Sequence, residues 1–140
     1  MKNINYTQKN IKNFRSHRIS SLLKKELSCI VQRYIRDPRI DYMITVSEVN
    51  VSKDLSHAKI FITLFNNTNV QYNNQFDKKM NQILRILNCA SGYIRCLIAK
   101  KINIRISPNL KFYFDNSLKY GETISNIINK NKINNQYQNL

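Results

Sequence analysis

The sequence predicts an α+β domain in which one three-stranded sheet packs against helices. Apolar residues recur at intervals of three and four over 19–34, 76–98 and 118–128, the spacing of helices with one buried stripe. Over 42–51, 58–64 and 102–114 they alternate at two, the spacing of half-buried strands. Size agrees: 140 residues, 42% of them hydrophobic, suffice for one core and are too apolar for a wholly disordered chain.

Residues 1–12 are polar and aperiodic and read as a flexible basic arm before a domain spanning 13–128. Ile19, Leu22, Leu23, Leu27, Ile30, Val31 and Tyr34 then form one stripe, which Pro38 should end because proline has no N–H to donate. Tyr42, Ile44 and Val46 share one strand parity, whereas Val49 and Val51 share the other. That slip near Ser47 predicts a bulge or a strand end. Ser52, Lys53 and Asp54 make a turn, and Ala58, Ile60, Ile62 and Leu64 return as the second arm of an antiparallel hairpin.

An Asn-rich loop over 66–74 leads to a second helical stripe of Phe76, Met80, Ile83, Leu84 and Leu87. The stripe meets Ala90-Ser91-Gly92 and resumes at Ile94, Leu97 and Ile98. A helix interior disfavours glycine by about 1 kcal/mol relative to alanine, so Gly92 is expected to mark a kink with left-handed or strained backbone. Ile102, Ile104, Ile106, Leu110, Phe112 and Phe114 hold period two across Pro108, a strand with a bulge or an edge at the proline. Asp115, Asn116 and Ser117 offer caps for a last helix carrying Leu118, Ile124, Ile127 and Ile128, and residues 129–140 read as a disordered polar tail.

Charge narrows the function. Twenty-three Lys and Arg against 8 Asp and Glu give +15, and polyanions are the natural partner of such a surface. Lys is abundant together with Asn and Ile, as A/T-biased codons would give, so part of the excess has a bland origin. Distribution separates the two readings, because residues 78–114 hold eight basic residues and no acid. Two glycines are too few for a glycine-rich phosphate loop. Three cysteines without CxxC spacing fit a reducing compartment, and with His17 and His57 far apart they predict no zinc site. No apolar run suits a membrane span or a signal peptide, so a cytoplasmic location is expected. No nucleophile–base pattern or carboxylate pair is readable, and no catalysis is expected.

Two helices joined by a short break between the second and third strands form the core of the KH nucleic-acid-binding module in its second topological form. The usual GXXG clamp is replaced by Ala90-Ser91-Gly92. More specific strings follow: Arg15-x-x-Arg18-Ile19 with Glu26-Leu27; Asp37-Pro38-Arg39; and Val51-Ser52-x-Asp54-Leu55-x-x-Ala58-Lys59-Ile60. Ala90-Ser91-Gly92-x-Ile94-Arg95 and Arg105-x-x-Pro108-x-Leu110-x-Phe112-x-x-Asp115-x-Ser117-x-x-x-Gly121 complete the set. In this order, over four-fifths of the chain, they resemble the bacterial ribosome-binding factor A family. The resemblance implies a KH-like type II domain whose interrupted helix stands where the clamp would be. It implies a monomeric factor that binds free 30S subunits, and not 70S ribosomes or polysomes, late in assembly. The implied contact is a basic helical face near the 5′-terminal helix of 16S rRNA, whose processing the factor supports without cofactor or metal. A general KH-like RNA binder or a permanent ribosomal protein is the alternative reading.

The candidate RNA contacts are Arg85, Arg95, Lys100, Lys101 and Arg105, joined by Arg15 and Arg18 on the first helix and by Arg39 in the turn. Ala90, Ser91 and Gly92 either let a backbone approach the helix end or simply let two helices reach one sheet. Phe61, Phe65 and Tyr113 lie on the strand parity opposite the core, interleaved with Lys59 and Lys111. Such a face either stacks bases or is covered by a terminal segment.

Overall fold

The computed structural model describes the backbone over residues 4–65 and 74–137, and side chains over residues 14–65, 74–117 and 119–132. In chain order the elements are α1 (Ile4–Tyr34), β1 (Met43–Val51), β2 (His57–Phe65), α2 (Asn74–Cys89), α3 (Ser91–Lys101), β3 (Asn109–Phe114) and α4 (Ser117–Tyr137). The sheet order is β1-β2-β3, antiparallel between β1 and β2 and parallel between β2 and β3. A parallel pair needs a long crossover, and α2 and α3 supply it.

Periodicity explains the layers. Leu23, Leu27 and Ile30 of α1, Ile83 and Leu87 of α2, and Ile94 and Ile98 of α3 are almost fully buried. They meet Ile44, Val46, Ile60, Ile62, Leu110 and Phe112 from one face of the sheet. Burying a side chain of this size contributes roughly 1.5–3 kcal/mol, so this seam holds the helices to the strands. Tyr42 and Phe114 add edge-on ring contacts to Phe76 at 6.2 and 5.9 Å.

The parity slip at Ser47 is a bulge: the β1–β2 register shifts between Val46 and Glu48. It leaves the Ser47 hydroxyl donating its one proton to the Asp115 carboxylate at 2.6 Å, with the Phe61 carbonyl alongside at 3.1 Å. Asp115 in turn accepts from the Ser117 hydroxyl and, at 2.9 Å, from the Ser117 N–H. These donors, the Ser117 hydroxyl foremost and the Ser47 hydroxyl next, hold its carboxyl below the usual range. The bulge thus ties the start of α4 to the sheet.

In the β1–β2 turn, the Asp54 carboxylate accepts from the hydroxyls of Ser52 and Ser56 and from the Ser56 N–H. Leu55 sits there in the left-handed region, at φ 61°.

Four expectations change. The helix expected from residue 13 begins at Ile4, so the backbone of residues 4–12 continues α1, while residues 1–3 lie outside the described residues. α1 stops at Tyr34, before Asp37 and Pro38.

The strand expected over 102–114 is only Asn109–Phe114. Ile102 closes α3 instead, its N–H donating to the Ile98 carbonyl at 2.8 Å, and Pro108 has no N–H to offer a ladder. Pairing starts one residue later, where the Asn109 N–H donates to the Ser56 carbonyl at 2.8 Å.

The tail expected from residue 129 is helical as far as Tyr137, with no proline or glycine after Gly121 to interrupt it. The Asn-rich loop at 66–73 and residues 138–140 lie outside the described residues.

Finally, no glycine has positive φ, and the break between α2 and α3 falls on Ala90, at φ −80° and ψ −2°.

Candidate nucleic-acid interface

The site begins at that break. Ala90 donates its N–H to the Ile86 carbonyl at 2.9 Å and accepts from the Ile94 N–H at 3.0 Å. The backbone ladder is therefore bent rather than opened into a loop. α3 starts without a side-chain cap, so the N–H groups of its first turn are left to other partners. Ser91 is half-buried beside the bend and Gly92 is exposed. A side chain at position 92 would meet nothing within 4 Å, so the glycine is not needed for space either.

Beside the bend, Asn88 faces the outer edge of β3. Its side-chain amide donates to the Phe112 carbonyl at 3.3 Å and accepts from the Phe112 N–H at 2.9 Å. One side chain thus satisfies a rung of an otherwise unpaired strand edge. A cleft of about 580 Å³ opens here, lined by Asn88 and Ser91 on one side and by His57, Lys59, Lys111 and Tyr113 on the other. Sequence reasoning passed over Asn88. Its signal was available, an amide on the apolar stripe one turn beyond Leu84.

The candidate cations divide into two groups. Arg85, Lys100 and Arg105 are exposed, and no described group pairs with them. Arg85 borders a shallow groove with Asn81, Asn88 and Cys89, placing it beside the bend. Arg15 and Arg18 are also exposed, on α1.

The other three are engaged within the fold. Arg95 donates through Nε to the Ser107 carbonyl at 3.0 Å and through a terminal nitrogen to the Asn109 amide oxygen at 2.7 Å. It fastens α3 to the segment entering β3. Lys101 lies 3.8 Å from the Glu26 carboxylate and 5.3 Å over the Tyr34 ring, joining α3 to α1. Arg39 forms a fork with Asp37, at 2.9 and 2.6 Å, and with its N–H holds that carboxyl down to about 2.

The fold therefore gathers Arg85 and the bend, and sets Lys100 and Lys101 at the far end of α3. Arg18 is two turns of α1 away from Glu26, about 12 Å at 1.5 Å per residue, so α1 extends the basic surface rather than joining the cleft. Lys79, a further cation of the acid-free stretch, pairs with Asp41 and covers the Tyr42 ring at 5.8 Å.

Among the described residues no cluster of His, Cys, Asp and Glu is placed to hold a metal ion, and no helix is long and apolar enough to cross a membrane.

Helices on one face of a mixed three-stranded sheet, with a bent pair in the parallel crossover, define a KH-like domain of the second topological form. The family model for ribosome-binding factor A matches residues 15–128. Curated ribosome-binding factors A from Buchnera aphidicola are similar over most of the chain. That of strain 5A, from Acyrthosiphon pisum, is 44% identical over 114 residues, covering 81% of this chain and 89% of its own. That of strain Cc, from Cinara cedri, is 47% identical over 116 residues, covering 81% and 92%. A solution structure from Thermotoga maritima superposes with a TM-score of 0.56 at 29% identity, over 71% of this chain and 86% of that one. The chain belongs to the ribosome-binding factor A family.

Proposed function

We infer that the protein binds the free 30S ribosomal subunit late in its assembly and supports processing of 16S rRNA. In this reading it acts as a cytoplasmic monomer and carries out no catalysis itself. One observation carries it: the acid-free basic stretch 78–114 folds around the α2–α3 bend, in a chain of this family. Phosphates of the 5′-terminal region of the rRNA meet Arg85, Lys100 and Arg105, whose charges have no internal partner among the described residues. Arg15 and Arg18 lengthen the same surface along α1. A homology model of Thermus thermophilus ribosome-binding factor A has been fitted into a cryo-electron microscopy map of its complex with the 30S subunit, which supports the choice of particle.

Sucrose-gradient fractionation tests the reading. The protein should sediment with free 30S subunits and be depleted from 70S ribosomes and polysomes, and cells lacking it should accumulate 16S precursor. Equal occupancy on polysomes would instead identify a permanent ribosomal protein.

A further inference from the structure

The helices cover one face of the sheet, and no described element packs across the other. On that open face β2 and β3 set matching residues side by side: His57 by Asn109, Lys59 by Lys111, Phe61 by Tyr113. The Phe61 and Tyr113 rings stack with centroids 5.8 Å apart and planes 30° apart. Lys111 Nζ lies 5.7 Å over the Tyr113 ring. Further along β2, Phe65 is 61% exposed beside Met43, its β1 partner, at 57%.

An apolar and aromatic row flanked by lysines calls for an occupant that offers both flat π-faces and negative charge. Unpaired nucleotides offer both; an acidic peptide matches only the lysines. One acid intrudes, Glu48, at the β1 position paired with Phe61.

We propose that this sheet face is a stacking platform for single-stranded RNA. Bases lie on the Tyr113–Phe61 pair, and their phosphates meet Lys59 and Lys111. The platform rests on the RNA-binding reading above and carries it around the β3 edge, from the cleft that Asn88 and Ser91 share with Lys59, Lys111 and Tyr113 onto the sheet face away from the helices. It is tolerant of sequence, because every base has a π-face.

The chain has no tryptophan, so Phe61→Trp places a single reporter on the platform. Its emission should be quenched when the full-length protein is titrated with a short oligouridylate. Phe61→Leu and Tyr113→Leu keep apolar bulk but remove the π-face. Each should weaken oligouridylate binding about tenfold while the protein stays folded, its melting temperature lower by only a few degrees from the lost ring contact. Unaltered affinity in both leucine variants would overturn the platform. So would an indole that is already shielded without RNA, which would show α4 or a second copy covering the face. The two readings fail separately. If 30S binding persists while the leucine variants match wild type, only the platform is lost; a wild-type chain that binds neither 30S nor oligouridylate loses both.

Discussion

Gly92 sits in the first turn of α3 with no positive φ, and a Cβ there would meet nothing within 4 Å. Its conformational freedom is therefore unused, and alanine should suit the helix better. Gly92→Ala is expected to add about 0.5 kcal/mol, part of the full glycine–alanine difference in a helix interior. A thermal melt should rise by about 2 °C; a fall would mean that the bend relies on glycine. At Asp54 the donors, Ser52 first and then Ser56, hold the carboxyl down to about 2 from 3.8. A carboxylate depressed in the folded state stabilises it above the unfolded value and loses that contribution as pH falls through the folded one. Stability should therefore decline between about pH 4 and pH 2. Asp54→Asn should flatten that part of a plot of melting temperature against pH, while lowering the plateau near neutrality.

The elements legible in the sequence are those with a buried stripe. Leu23 to Leu27 to Ile30, Ile60 to Ile62, and Ile83 to Leu87 announce their faces because burial fixes their spacing. The bulge at Ser47 was legible for the same reason, since one extra residue swaps parity. Where burial does not act, periodicity is silent or misleads. The first residues of α1 and the last of α4 extend helices without an apolar repeat to mark them. Ile102, Ile104 and Ile106 keep period two but only Ile102 is buried, and Ile106 is 63% exposed. Ile124, Ile127 and Ile128, of the stripe read for the last helix, also mislead as a sign of packing, because all three side chains are about half exposed. No described element packs broadly on α4. Ending the chain after Tyr120 keeps the Ser47–Asp115–Ser117 tie, so chemical denaturation should shift by less than about 0.5 kcal/mol. A larger drop would show that α4 folds back onto the domain.

At the scale of the molecule, the sequence counted charges but could not say which were already occupied. Glu26, Ser107 and Asn109 come to Lys101 and Arg95 only through the packing of α3 against α1 and β3. Arg85, Lys100 and Arg105 remain free for phosphate among the described residues. Replacing these three with alanine should reduce the slope of log affinity for 30S against log salt by about 0.7–0.9 for each phosphate no longer neutralised. The melting temperature should hardly move. Arg95→Ala should behave in the opposite way, costing about 1 kcal/mol of stability with little change in slope. Lysine at that position should not restore it, since it lacks the fork. Equal slopes in the triple variant and wild type would move the proposed rRNA interface to α1.

The parallel pairing of β2 with β3 also governs the order in which the protein can be made. α1, β1 and β2 are contiguous in the chain, so the hairpin can close and seat Leu23 and Leu27 while later residues are still being synthesised. β2 then waits with one side unpaired until α2, α3 and β3 have all emerged. Pairings across so long a separation form slowly, and the waiting strand is open to the wrong partner meanwhile. A nascent chain of this protein is thus most vulnerable to misassociation in the interval between the appearance of Phe65 and that of Phe114.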